Sequence, residues 1–328
     1  MNGRLQSEMN MSELIDRKLK DMPDYVGDWY INLKASRRTA STCLDYIRKV
    51  NLFLAYINKN VKRVKPSDIT ETNVASYFLS TQTKTRYGKT TYTSDSYQCT
   101  VWSCLDNFLG YLYKRGLIEH NYMEFIDKPK NHDLERINEN RVLLTEDDFK
   151  KILASVEKER EFAIRRRDKA ILLLFMNTGM RKAALINIML DDIDFGTNEL
   201  TIVDKGNKRH KYILTDQVCD VIFEWYLVRH EYDRGYRDNH LFLSKKGKMM
   251  STTAVYNLVR KYTLKGIGKE VSPHKLRSGY CSILYNKTHD IEFVRRAVGH
   301  SNVQTTTRYI VVDENEKRKA SEIMTSLL

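Results

Sequence analysis

The chain has 328 residues, 41% of them hydrophobic and 30% charged, with a formal net charge of +13. That length accommodates two domains of ordinary size with real cores. Its longest strongly apolar run, residues 171–176, falls far short of the roughly 20 residues a membrane span needs, and residues 1–20 lack the apolar core of a signal peptide, so a cytoplasmic protein with no membrane role is expected.

Residues 12–127 read as almost wholly helical. In residues 39–57, Leu44, Ile47, Val50, Leu52, Phe53 and Tyr56 lie largely on one side of a helix. Ser67 is the expected N-cap of the next helix, and residues 96–116 make a long amphipathic helix that Gly116 stops. Between these two lies TQTKTRYGKTTYTSDS, residues 81–96, which reads as a solvated loop. Its Lys84, Arg86 and Lys89 would suit phosphates. From Trp29 to Arg115 the chain carries 14 Lys and Arg against 5 Asp and Glu. Such an excess fits a polyanion, most often nucleic acid, although mere solubility would also explain it.

Residues 128–143 break the pattern with a proline and a polar run, as an interdomain linker would. Thr145 then opens a helix with Asp148 three residues on, an arrangement like a capping box. The second half mixes helices with strands. Residues 192–215 alternate and turn at 196–198 and 205–208, which predicts three antiparallel strands. Helices are expected around residues 216–230, 252–262, 273–285 and 290–298, with a further amphipathic helix at 314–327. The expected fold class is therefore mainly α (α+β). A helical domain over residues 1–127 and a linker over 128–143 precede a mixed domain over 144–328 with a small antiparallel three-stranded sheet.

The five cysteines (Cys43, Cys99, Cys104, Cys219 and Cys281) include no CxxC pair and suggest neither a disulfide framework nor a zinc site. Another chemistry fits better. Cutting a phosphodiester without a metal needs a nucleophile in line with phosphorus, positive charge for the non-bridging oxygens and a proton for the leaving oxygen. Guanidinium forks match phosphate geometry and stay charged; Lys or His can supply the proton; a tyrosine can hold the cut end covalently. The second half contains these types in order: Arg181 after a Thr-Gly turn, Lys205 at a hairpin tip, His274 and Arg277 one helical turn apart, then His300 and Tyr309. Each has a plainer alternative. Lys208 and Lys211 share the hairpin with Lys205, the histidines could be structural or could join His210 as metal ligands, and Tyr309 could be a packed aromatic. The lack of a local carboxylate–histidine cluster argues against the metal.

With the motifs TGMR, DKGNK, HKLR, VGH and TTTRYI in this order, the chain resembles a tyrosine recombinase of the lambda-integrase family. Its format is the compact two-domain one shared by Xer recombinases and many mobile-element integrases. The likeness extends to the first half, which looks like the family's core-binding domain and begins its helical pattern near residue 12, leaving no room for a separate arm-binding domain. The resemblance implies that Arg181 and Arg277 clamp the scissile phosphate and that Lys205 protonates the departing 5′-oxygen. It further implies that His274 moves a proton, His300 hydrogen-bonds the phosphate and Tyr309 attacks to form a 3′-phosphotyrosyl link. The implied partners are double-stranded DNA, a homotetramer on two DNA sites that exchanges strands through a Holliday junction, and an accessory directionality factor where direction is controlled. No cofactor, metal or ATP is implied. The implied role is site-specific recombination, as integration, excision or transposition of a mobile element; Xer-like dimer resolution and an inactive DNA-binding regulator are the alternatives. The tail helix would dock on a neighbouring protomer or pack on its own chain. One departure stands out: the family usually carries an acid three positions after the first arginine, and this chain has Ala184.

Overall fold

The computed structural model describes residues 3–131, 144–203 and 209–299. The chain divides into two compact units, residues 1–140 and 141–328. Most of the expected linker, and the tail helix at 314–327, lie outside the described residues.

The first unit is built from α1 (Gly3–Leu19), α2 (Asp24–Ala35), α3 (Ala40–Ile57), α4 (Glu71–Ser80) and α5 (Asp95–Lys114). Small hydroxyl residues start three of them. Thr39, Thr70 and Ser94 each accept from a backbone N–H in the first turn, satisfying a donor that the helix itself leaves unpaired. Thr70 takes the place expected for Ser67, which instead sits in a single 3-10 turn, Pro66–Asp68. The core gathers Trp29, Ile47, Phe53 and Phe108. Trp29 meets Phe108 edge-on at 4.9 Å and donates its indole N–H to Asn107 Oδ1 at 3.0 Å. On α3, Leu54 is buried, whereas Leu52 and Tyr56 are about half exposed, contrary to the face read from sequence.

The unit is not all helix. The stretch expected to be a loop forms strands β1 (Thr83–Arg86) and β2 (Lys89–Tyr92), an antiparallel hairpin. Its strands lack an apolar face, so hydrophobic alternation could not reveal them.

The second unit begins with α6 (Glu146–Val156), where Thr145 and Asp148 do form a reciprocal capping box. Then come α7 (Phe162–Thr178), α8 (Lys182–Ile186), α9 (Asp216–Val228), α10 (Thr252–Ile267), α11 (Pro273–Thr288) and α12 (Ile291–Ala297). Between α8 and α9 lie β3 (Ile193–Asp194), β4 (Glu199–Val203) and β5 (Arg209–Ile213), antiparallel in the order β3-β4-β5. The expected three-stranded sheet is therefore present, with Leu200 opposite both Ile193 and Tyr212 and all three buried. α7 runs through the centre of this unit, packed against α6, α9 and α11, and its Ile171, Leu174 and Phe175 are fully buried with Trp225 and Tyr262. No helix among the described residues is long and apolar enough to cross a membrane.

Candidate active site

The site begins where α7 ends. Gly179 caps the helix in the left-handed region (φ 57°), with its N–H bonded to Phe175 O at 3.0 Å. A glycine is required here for two reasons. L side chains avoid that φ, and a Cβ would sit 2.5 Å from Cδ1 of Tyr280, whose ring covers the turn. Thr178 Oγ1 donates to Leu174 O at 2.5 Å and accepts from Met180 N at 3.2 Å, closing the turn. The reversal makes Arg181 the N-cap residue of α8, half-buried.

The second arm of the site is α11. Ser272 caps it and Pro273 occupies its first turn, where a missing N–H costs nothing. His274 stands at that end, partly open to solvent and partly covered, and Arg277, one turn on, is only 2% exposed. Arg277 Nη1 donates to Gly179 O at 2.5 Å and Nη2 to Val298 O at 2.9 Å. One guanidinium thus joins the Thr-Gly turn to the residue just before Gly299 and His300. Desolvation holds the His274 imidazole below its usual range, with further lowering from Arg277, Lys275 and Arg181. The bond to Gly179 O sets Arg277 at the turn that ends two residues on in Arg181, and His274 stands one helical turn before Arg277 on α11, within the field of both arginines.

The remaining expected residues are placed less directly. Lys205, His300 and Tyr309 lie outside the described residues. His210 on β5 lies against Gly299, with its Nδ1 3.1 Å from where a Cβ would be. β5, which begins at Arg209, therefore runs beside Gly299. Lys84, Arg86 and Lys89 are on the hairpin of the first unit. Among the described residues no cluster of three or more His, Cys, Asp or Glu could hold a metal.

Ala184 is buried on α8. Nearby, Lys182 lies over the Tyr256 ring at 5.8 Å, and Asn187 donates back to Ala183 O at 2.6 Å. Residue types alone did not reveal the carbonyls of Gly179 and Val298 as anchors for Arg277, nor Tyr280 as the ring over Gly179. The glycine of the Thr-Gly pair was the available signal.

The phage integrase family matches residues 143–316, more than half of the chain. The tyrosine recombinase XerC of Caldanaerobacter subterraneus subsp. tengcongensis is 34% identical over 224 residues, covering 66% of this chain and 59% of the relative. XerC of Pseudomonas entomophila is 27% identical over 211 residues, covering 64% of this chain and 68% of the relative. Among solved structures, a lambda integrase tetramer bound to a Holliday junction is similar with a TM-score of 0.61 at 17% identity, over 88% of this chain and 76% of that one. The Tn1549 transposon integrase in complex with a circular intermediate DNA gives 0.60 at 17% identity, over 91% and 99%. At such identities the likeness is one of fold. With the family match spanning the arginine–histidine cluster, the chain belongs to the phage integrase family of tyrosine recombinases.

Proposed function

We propose that the chain is a site-specific DNA recombinase that cuts and rejoins duplex DNA through a 3′-phosphotyrosyl intermediate on Tyr309. The observation that carries this reading is the pair of bonds from Arg277 to Gly179 O and Val298 O, which holds its guanidinium at the Thr-Gly turn leading into Arg181, one helical turn after His274 on α11. In the proposed reaction the Tyr309 oxygen forms a bond to phosphorus as the bond to the 5′-oxygen breaks. His274, held neutral at pH 7, accepts the phenolic proton, and Lys205 donates one to the leaving 5′-oxygen. Arg181, Arg277 and His300 stabilise the charge on the non-bridging oxygens, where preorganised donors act most strongly. Each cut leaves one phosphoester in place of another, so a partner 5′-hydroxyl can reverse the step without ATP.

Duplex DNA as substrate is supported by the XerH neighbour bound to its difH site and the Tn1549 integrase bound to circular intermediate DNA. Four protomers on two sites are supported by the lambda integrase tetramer on its junction. Within recombination, we favour integration, excision or transposition of a mobile element, on the Ala184 departure and the divergent wording of the motifs. A second reading, Xer-like dimer resolution, is favoured by the XerC relatives.

The test is a nicked suicide duplex carrying the cognate site, with Tyr309→Phe as control. The wild type is expected to form a covalent adduct and the variant none. Arg277→Ala is expected to slow adduct formation by about 10²–10³-fold, the usual effect of removing one donor to a developing oxyanion. A chain that binds the site but never forms an adduct is a DNA-binding regulator, and one that forms adducts without recombinants is a nicking or relaxing enzyme. Sequencing adduct-bound DNA separates the two biological readings, since element ends support the first and a replicon's own dimer site the second.

A further inference from the structure

Between α4 and α5 the chain forms a two-stranded ribbon whose register pairs Thr83 with Tyr92, Lys84 with Thr91, Thr85 with Thr90 and Arg86 with Lys89. Opposed residues share a face and successive residues alternate. Lys84, Lys89 and Thr91 therefore lie on one face, and Thr83, Thr85, Thr90 and Tyr92 on the other. The Thr85 and Thr90 hydroxyls are hydrogen-bonded at 2.8 Å. Lys84, Thr85, Lys89, Thr90, Thr91 and Tyr92 are all exposed, so burial does not account for the ribbon.

A lone hairpin is marginally stable, yet this one has a fixed base. Buried Gln98 donates to Thr81 O and to Thr93 Oγ1, each at 2.6 Å, and Thr81 Oγ1 donates to Gln98 Oε1 at 3.1 Å. Thr93 N adds a bond to Gln82 O at 2.8 Å. The tip is a tight turn with Tyr87 at φ 51° and Gly88 at φ 75°. Asn-Gly or Gly-Gly commonly fills such a turn. Here a tyrosine holds the strained position while fully exposed, so the folded chain gains no packing from it. Residues 83–92 contain two lysines, one arginine and no carboxylate.

We propose that this hairpin is a DNA-binding ribbon, with its Lys84–Lys89 face on the phosphates of a duplex and Tyr87 entering the groove. The proposal rests on the DNA reading above and adds a site to it. The dimensions and chemistry fit. A two-stranded ribbon enters a major groove roughly 12 Å wide, and four residues of strand reach about 13 Å. Lysines and threonine hydroxyls are common donors to phosphate. A protein partner would need an apolar centre to dock against, and the ribbon offers only its tyrosines.

The test uses the full chain and a labelled random-sequence 40-base-pair duplex, titrated over a range of salt concentrations. Three variants are compared with the wild type: Lys84→Ala/Lys89→Ala, Tyr87→Ala, and Lys18→Ala/Lys59→Ala. The last alters two lysines that line a separate groove of the same unit. The ribbon double variant is expected to lower the slope of log affinity against log salt by about 2, one unit per lost phosphate contact. Tyr87→Ala is expected to weaken binding several-fold with the slope unchanged, and thermal melting should move in neither because the altered side chains are exposed. If the wild type binds and the ribbon double variant keeps its slope, the ribbon serves some other acidic surface and the proposal fails while the DNA reading stands. An equal loss of slope from Lys18→Ala/Lys59→Ala would reduce the ribbon to general charge and also overturn it. A wild type with no salt-dependent binding overturns the DNA reading and the ribbon together.

Discussion

Arg277 is almost fully buried and bonds two neutral carbonyls, Gly179 O and Val298 O. These bonds fix the plane of the guanidinium and do not neutralise its charge, which bears on His274 nearby. His274 titrates below its ordinary value of 6.5 through desolvation and the fields of Arg277, Lys275 and Arg181. The unfolded chain binds this proton more readily than the folded one. The residue's contribution to stability is therefore complete above the unfolded value and is lost as pH falls through the folded one. In the proposed reaction, the rate of adduct formation should fall on the acid side of pH 6.5, where His274 takes up a proton and can no longer accept one from Tyr309. Lys275→Ala removes one depressing charge, so the acid limb should move up towards 6.5; an unmoved limb would mean that Lys275 does not act on the imidazole. The Gly179 anchor makes a second prediction. Gly179→Ala combines left-handed strain with displacement of Tyr280 and should cost about 1–3 kcal/mol in urea unfolding. It should also slow adduct formation more than Thr145→Ala, a remote cap loss worth about 1 kcal/mol. The motif letters made Arg181, His274 and Arg277 legible as a set. They could not show that backbone carbonyls hold Arg277, because any residue supplies a carbonyl.

At the scale of elements, sequence legibility followed hydrophobic contrast. The sheet β3-β4-β5 could be read because Leu200 and Ile202 alternate with Glu199 and Thr201 on β4, while Ile193 on β3 lies between Asp192 and Asp194. The helix over residues 39–57 was found, but its inward face was misjudged at Leu52 and Tyr56 because apolar residues lie on more than one of its sides. Hydrophobic periodicity does not show the hairpin β1-β2, since a strand exposed on both faces has no period for burial to impose. What orders it is polar: the buried Gln98, 7% exposed, whose partners are Thr81 and Thr93. Gln98→Ala removes that latch and leaves Thr81 O without its Gln98 donor. The expected cost is about 1–3 kcal/mol, with faster amide exchange at Thr93, whose N–H bonds Gln82 O. Unchanged exchange at Thr93 would show that the ribbon is ordered by something other than its base.

On the scale of the whole molecule, the two large hydrophobic clusters among the described residues do not share a residue. One draws on residues 15–123 and the other on residues 144–276, each with large aromatics buried in its own unit. Lys128 and Lys130 lie between them, exposed and outside any helix. Limited trypsin treatment should therefore cut first in this region and release two fragments that each unfold cooperatively, as self-sufficient cores do. A single transition shared by both fragments, or loss of structure on cleavage, would show that the units depend on each other to fold. Cleavage should have a second consequence if both units hold the same duplex, as the positive charge of residues 29–115 and the arginine cluster of the second unit suggest. Joined units bind the second time at high effective concentration, so severing the connection should weaken duplex binding by roughly 10²–10⁴-fold without altering either fold. Measuring affinity before and after the cut, at one salt concentration, separates the cases. A large loss means two hands on one DNA, and an unchanged affinity means that one unit alone supplies the grip.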